Sequence, residues 1–233
     1  MGFLRRRARP EPPPAPPRRR FWRRVRRYGL RALAAVVLVV GLFAVVRPPT
    51  TWTIWTESTH PRQWVPLRDI APVMARSVVA AEDANFCLHW GFDMAEIRRV
   101  VASGGSRGAS TISQQVVKNV FLWQGRSWWR KLPEAALTPV VEAMWTKRRI
   151  LEVYLNVAEF GPGVFGIHAG AAYHFRTTPD KLTADQAARL AAILPAPKTR
   201  DPKAVTTRRV RAIADGAATI ARDGRDACFR VKS

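Results

Sequence analysis

The chain has 233 residues, 47% of them hydrophobic, and a formal net charge of +22. That length and apolar content suit one domain with a real core plus an appendage, and exclude a disordered polyelectrolyte. Two cysteines are too few for a disulfide framework, which excludes a small stapled scaffold.

The charge is concentrated at the N-terminus. Residues 1–31 carry twelve arginines against the single Glu11, which is +11 of the +22. A basic tail taken alone points to nucleic acid. The adjoining segment points elsewhere: Ala32–Val46 is fifteen uncharged residues, and counting from Tyr28 gives nineteen with only Arg31 inside. A membrane-spanning helix needs roughly 20 apolar residues (range about 17–25), and Arg31 sits where it can snorkel. The apolar run ends in Val45-Val46-Arg47-Pro48-Pro49 with no small-x-small cleavage site, which favours an uncleaved anchor over a signal peptide. The flanking arginines place the N-terminus in the cytoplasm and the bulk of the chain outside.

The expected organisation is a basic Pro/Arg-rich cytoplasmic tail at 1–27, its first 20 residues disordered, then an anchor at 28–46. An extended linker comes next at 47–66 and a folded domain at 67–225. Leu67–Asp83 reads as a helix, with Ile70, Met74, Val78 and Ala81 at helical spacing. Asp93-Met-Ala-Glu96 is a capping-box-like start for a second helix, broken by Gly104–Gly108. Ser110 is the expected cap of a third, on which Ser110, Gln114 and Lys118 share one face and Ile112, Val116 and Val120 the other. A polar face without acidic residues suits an anion. Pro133 fits the first turn of one long helix to about Asn156, with Val140, Met144, Leu151 and Leu155 buried. Short helices are expected over Gly166–Phe175 and from Thr183 to Leu194. Val210, Ile213, Ala217 and Ile220 mark a last amphipathic helix. Strand alternation is missing, so the domain is read as mainly α.

Four segments carry the functional reading. They are Glu82-Asp83-Ala-Asn-Phe86-Cys-Leu-His89-Trp-Gly91-Phe-Asp93, Gly108-Ala-Ser110-Thr111-Ile-Ser-Gln114-Gln115-Val-Val-Lys118-Asn119, Arg130-Lys131-Leu-Pro-Glu134 and Lys147-Arg-Arg-Ile-Leu-Glu152-Val-Tyr154-Leu-Asn156. In order and spacing they resemble the peptidoglycan glycosyltransferases, the glycan-polymerising modules of bifunctional penicillin-binding proteins and their stand-alone relatives. Ser113 stands where that pattern has threonine, which keeps a hydroxyl, and the last family region is matched only loosely by Leu190-Ala-Ala-Ile-Leu-Pro195-Ala-Pro197.

The resemblance implies a lysozyme-like helical fold with a membrane-associated subdomain. It implies polymerisation of lipid II onto a lipid-linked glycan chain, forming β-1,4 strands and releasing polyprenyl diphosphate. Such chemistry needs one general base and positive charge at the pyrophosphate. Glu82 takes the base position. Lys118 and Arg126 take positions that contact the pyrophosphate, with Ser110, Gln114 and Gln115 as neighbouring donors. Glu134 matches a second important glutamate that orients phosphates or helps hold a divalent cation (Mg or Mn); no cofactor is otherwise expected. Arg130 and Lys131 suit phosphate or lipid headgroups equally. Leu122-Trp123 and Trp128-Trp129 flank Gly125-Arg126 as at a membrane interface, or serve as core. Expected partners are lipid II, the glycan chain, the inner membrane and cell-wall synthesis or division proteins, without nucleic acid. No Ser-x-x-Lys occurs, so a monofunctional enzyme is expected.

Several residues stay undecided or structural. Asp83 and His89 either take part in chemistry or hold the loop, Asp93 reads as an N-cap, and Glu152 as an ion-pair member. Tyr154, Asn156 and Glu159 receive no role. Cys87 and Cys228 could pair in an oxidising compartment, but Cys87, between Phe86 and Leu88, reads as a buried inert thiol. The four histidines lack metal-ligand spacing. A lytic enzyme of the lysozyme class would need a protonated acid for its poor leaving group, and the cations near Lys118 argue against it. A non-enzymatic basic membrane protein would leave residues 82–156 unexplained.

Overall fold

A computed structural model describes residues 17–104, 108–123, 125 and 128–231. Two compact units divide the chain, Met1–Val39 and Val40–Ser233, so the boundary lies inside the first helix rather than after it. That helix, α1 (Pro17–Val45), contains a segment, Arg20–Val45, long and apolar enough to cross a membrane. Residues 17–20, expected in the disordered tail, are helical. Pro17 opens the helix at a position where a missing N–H costs nothing, and arginine is a good helix former. Residues 1–16 lie outside the described residues.

The second unit begins with the last turns of α1. Arg149 donates to the Phe43 carbonyl from Nε (3.1 Å) and Nη2 (3.0 Å), and to the Val46 carbonyl (2.6 Å). Trp145 Nε1 donates to the Val40 carbonyl at 2.8 Å. The Arg149 contacts satisfy carbonyls that a helix end leaves without partners, and the Trp145 contact ties in the turn before it.

Residues 47–66 are not simply extended. They contain α2 (Trp52–Glu57), capped by Thr51, whose Oγ1 accepts from Ile54 N at 3.3 Å. Thr53 and Ile54 turn inward, while Trp52 and Trp55 are exposed with ring centroids 5.4 Å apart. Farther along, buried Asn156 clamps Val65, accepting from its N–H and donating to its carbonyl, both at 2.8 Å. Glu152 accepts from Leu67 N at 2.9 Å and pairs with Arg149 at 2.6 Å, the structural role expected of it. Two residues of the fourth segment therefore fix the approach to the next helix.

That helix, α3 (Pro72–Glu82), starts later than the apolar spacing indicates. Leu67–Asp69 form a 3-10 turn and Ile70 is extended. Pro72 restricts the residue before it to extended backbone, so the α-helix begins at Pro72. Next come α4 (Met94–Ala102), capped by Asp93 as expected, and α5 (Ile112–Phe121). The cap of α5 is Thr111 rather than Ser110. Thr111 and Gln114 form a full capping box, which Ser110 is one residue too early to make.

The single long helix expected over 133–156 is two, α6 (Trp128–Met144) and α7 (Lys147–Val157). Thr146 breaks the run and caps α7, its Oγ1 accepting from Arg149 N at 3.2 Å. Pro133 lies inside α6, not in its first turn. The buried residues of α6 are Glu134, Thr138, Val141 and Glu142, with Trp145 buried just beyond its end, one step from the expected Val140 and Met144, and Met144 is exposed. An apolar stripe misplaces this face because its inward positions are partly polar. Leu151 and Leu155 on α7 are fully buried.

The remaining helices are α8 (Ile167–Phe175), α9 (Ala184–Ile193) and α10 (Thr207–Arg222). Val210, Ile213, Ala217 and Ile220 are the buried stripe of α10. Among the described residues the only strand-like pairing given is one isolated bridge, Glu159 with Phe165. Helices α3, α9 and α10 pack as one group, and α5 packs on α6 and α7.

Cys87 is not an inert thiol: it is disulfide-bonded to Cys228 across 141 residues, with Cα atoms 5.7 Å apart. Spacing gives no hint of this, because the partner is supplied by the fold. Asp226 beside it is buried and accepts from Arg76 (3.4 Å) and from Arg230. The C-terminal segment is thereby fastened to α3 and to the loop after it.

Candidate active site

An open cleft of about 1500 Å³ lies where the α3–α9–α10 group meets α5 and α6. Its lining includes the end of α3, the start of α5, the first turns of α6 and the segment from Leu194 to Arg209. Glu82, Ser110, Gln114, Gln115, Lys118, Arg130, Lys131 and Glu134 all line it. Arg126 lies outside the described residues.

Glu82 is the last residue of α3, where the helix dipole disfavours a negative charge. Its Oε2 accepts from Gln115 Nε2 at 2.9 Å, and Gln115 Oε1 accepts from the Tyr154 hydroxyl at 3.2 Å. Burial pushes the Glu82 carboxyl above the usual glutamate range, and the charge of Asp83 adds to this. The Gln115 hydrogen bond and the charges of Arg209 and Lys118 oppose the rise without cancelling it.

Asp83 is buried and acts as a joint. Its Oδ2 accepts from Ile112 N (3.0 Å), the first residue of α5, and its Oδ1 accepts from His89 Nε2 (2.8 Å). Of the two roles left open for Asp83 and His89, this geometry is the positional one: the pair locks the end of α3 to the start of α5. Thr111 Oγ1 also donates to the Gly91 carbonyl at 2.6 Å. Gly91 has φ +86°, and a Cβ there would sit 2.7 Å from Thr138 Cγ2, so glycine is required.

Helix α5 divides its labour. The Gln114 side-chain oxygen accepts from Thr111 N at 3.1 Å and is occupied by the capping box. Ser113 donates to Glu142, which also binds Lys147 at 2.7 Å. Lys118 makes no ion pair with any described residue. Burial lowers its pKa, as does Arg130 nearby, while Glu134 and Glu82 pull the other way. An ammonium without a carboxylate partner, held beside further cations, suits an anionic ligand.

Glu134 is only 2% exposed and is gripped by both Arg130 and Lys131. Because Pro133 is not in a first turn, a simple helix-dipole role for Glu134 does not apply. Arg130 also donates to the Gly125 carbonyl (2.8 Å) and Lys131 to Ser110 Oγ (3.3 Å). Glu134 thus sets the positions of two cations on the cleft wall.

Among the cleft residues that escape the sequence reading are Arg200, Asp201 and Arg209. Thr206, which caps α10 by accepting from Arg209 N at 3.4 Å, is the local signal that could have located Arg209. Its approach to Glu82 across 127 positions is set by the fold alone.

The transglycosylase family model matches residues 50–219, most of the chain and every element of this cleft. The chain belongs to the transglycosylase family. It is a glycosyltransferase, with the lysozyme-like helical fold that goes with the family. It is similar to the biosynthetic peptidoglycan transglycosylase of Jannaschia sp. (strain CCS1), 59% identical over 209 residues that cover 87% of each chain. The protein of that name from Pseudomonas aeruginosa is 46% identical over 193 residues, 77% of this chain and 83% of its own. That from Pectobacterium atrosepticum is 56% identical over 139 residues, 58% and 57% of the two chains.

The transglycosylase cleft offers little to a divalent cation held by protein alone. Both carboxylate oxygens of Glu134 are taken by Arg130 and Lys131. No group of three or more His, Cys, Asp or Glu among the described residues converges on a metal position. The cleft's own side chains therefore do not form a site for such an ion by themselves.

Proposed function

We propose that this transglycosylase polymerises lipid II into β-1,4 glycan strands of peptidoglycan. The observation that carries this reading is one cleft in which Glu82, a half-buried carboxylate with no ion pair among the described residues, lies with the cations Lys118, Arg130 and Lys131. The 4-hydroxyl of an incoming lipid II gives its proton to Glu82 as its oxygen attacks C1 of the lipid-linked chain. The bond from C1 to the pyrophosphate oxygen breaks, the configuration inverts from α to β, and polyprenyl diphosphate leaves. Lys118, Arg130 and Lys131, joined by Arg126, meet the charge that develops on it. The Asp83–His89 pair holds Glu82 in register, and Ser110, Gln114 and Gln115 add hydrogen-bonding groups around the substrate.

A raised Glu82 pKa would also serve the general acid of a lytic enzyme. The cations favour transfer, because a pyrophosphate leaving group needs charge stabilisation rather than a proton.

α1 fits a single-pass anchor in the inner membrane, with the arginine-rich end cytoplasmic and the catalytic unit outside. The Cys87–Cys228 disulfide supports the extracytoplasmic placement, since such bonds persist in oxidising compartments. Exposed Trp52, Trp55, Trp123 and Trp129 suit contact with lipid headgroups. The deciding experiment tracks labelled lipid II with the detergent-solubilised full-length enzyme. Polymer is expected from wild type and none from a folded Glu82→Gln. Release of soluble fragments from purified glycan, without polymer, would transfer the assignment to the lytic reading.

A further inference from the structure

We propose that Tyr154 is a positioning residue whose hydroxyl, by donating to Gln115 Oε1, holds the Gln115 amide against Glu82. The proposal rests on the reading of Glu82 as the base.

The side-chain amide of Gln115 has a donor end and an acceptor end of nearly the same shape, so its neighbours decide its orientation. On one side is Glu82 Oε2, 2.9 Å from Nε2; on the other is the Tyr154 hydroxyl, 3.2 Å from Oε1. Reversing the amide would set Oε1 against the carboxylate, acceptor against acceptor, unless Glu82 carried a proton. The ionised carboxylate thus selects the Nε2 end, and the Tyr154 hydroxyl anchors the far end, which keeps in place the hydrogen bond that favours the ionised, proton-accepting form of Glu82.

Tyr154 is suited to this task. It stands on α7 within the fully buried run Val153–Leu155, is itself 1% exposed, and cannot swing away without opening the core. Burial and the charges of Glu82 and Asp83 keep its hydroxyl protonated well beyond the ordinary tyrosine range, so it remains a donor throughout. The charged groups that face Glu82 are Arg209 from α10, Lys118 from α5 and Asp83 at its own helix end. None of them contacts the distal end of the amide among the interactions described, whereas Tyr154 does.

The test uses the full-length enzyme in detergent, with kcat and KM for lipid II polymerisation measured across pH. Tyr154→Phe removes one oxygen from a buried ring. It should move the acid-side midpoint of kcat upward by about 0.5–1 pH unit, the equivalent of one ordinary hydrogen bond, with KM unchanged. Gln115→Met should move it at least as far, and adding Tyr154→Phe to Gln115→Met should move it no further, because the two act in series. A p-aminophenylalanine at position 154 restores a donor and should restore the wild-type midpoint; it carries the test should Tyr154→Phe not fold. Additive shifts, an unmoved midpoint in Tyr154→Phe, or a displaced one with the amino analogue would each overturn the role of Tyr154. These outcomes count only beside an inactive, folded Glu82→Gln. Full activity in that variant would instead remove the base assignment, and this proposal with it.

Discussion

Glu82 and Glu134 line the same cleft and are both substantially enclosed, yet the fold gives them opposite partners. Glu82 has a neutral amide within hydrogen-bonding distance, with Arg209 and Lys118 acting only through space. Glu134 has a guanidinium and an ammonium in direct contact, one on each oxygen. A carboxylate supported by an amide keeps a lone pair and a raised proton affinity, so it can accept a proton. One clamped by two cations has both oxygens engaged and serves to place those cations. The difference lies in three or four neighbouring atoms, not in residue type, and it assigns chemistry to one wall and charge placement to the other.

The sharpest way to break this comparison is to neutralise each glutamate in turn. Glu82→Gln should lower kcat by about 10²–10⁴-fold, the usual worth of a general base, and leave the melting temperature near wild type or above it. An active Glu82→Gln beside an inactive Glu134→Gln would reverse the two assignments. Lys118→Met comes next, with an expected loss in kcat of about 10²–10³-fold, since it removes a desolvated cation from the leaving-group side. A change confined to KM in Lys118→Met would mean that this lysine binds substrate without favouring the transition state.

Glu134→Gln should act differently. It leaves Arg130 largely buried without its carboxylate, at a cost of about 1–3 kcal/mol once the exposure of Lys131 is allowed for. Thermal unfolding reads that loss directly. The acid limb of kcat should stay in place, because it is assigned to Glu82.

A bell-shaped pH profile is the subtler consequence. In the proposed reaction Glu82 works ionised, and burial has raised its pKa, so the rate should fall as pH drops through a midpoint above the ordinary glutamate range. Lys118 works protonated, and burial has lowered its pKa, so the rate should fall again as pH rises through a midpoint below the ordinary lysine range. Lys118→Met should abolish the alkaline limb and, by removing a charge that lowers the Glu82 pKa, move the acid limb slightly upward without abolishing it. Loss of the acid limb in that variant would place both titrations on the lysine's surroundings.

Much of the chemistry is legible because each motif is local. Asp93 caps α4 and Thr183 caps α9 where short spacings indicate, and residues from the first three segments converge on one cleft. The features that escape are of two kinds. The inward face of α6 is polar where it meets the cleft and the Ser113–Glu142–Lys147 network, so an apolar stripe alone misplaces it. The break at Thr146 is likewise hidden, because a continuous apolar period masks a good N-cap. The second kind is long-range. Arg209 near Glu82, Tyr154 behind Gln115 and Cys228 against Cys87 are brought to their partners by the assembly of helices, which no local spacing encodes.

The disulfide offers the mildest effect on activity and the clearest separation of scaffold from chemistry. It joins the loop immediately after Glu82 to the C-terminal segment, across 141 residues. Closing so long a loop restricts the unfolded chain, and losing that restriction costs roughly 2–5 kcal/mol. The loop has other fastenings that do not depend on sulfur: Asp83 bonds to His89 and Ile112 N, and Asn85 Nδ2 donates to Asp93 Oδ2 at 2.8 Å. Cys87→Ser with Cys228→Ser should therefore lower the melting temperature markedly yet keep kcat at about 20 °C within a few-fold of wild type, with the acid limb unmoved. Those polar contacts then suffice to seat the base. A shifted limb in a still-folded double variant would instead show that the covalent tie, and not the Asp83 joint, holds Glu82 where it must be to take a proton.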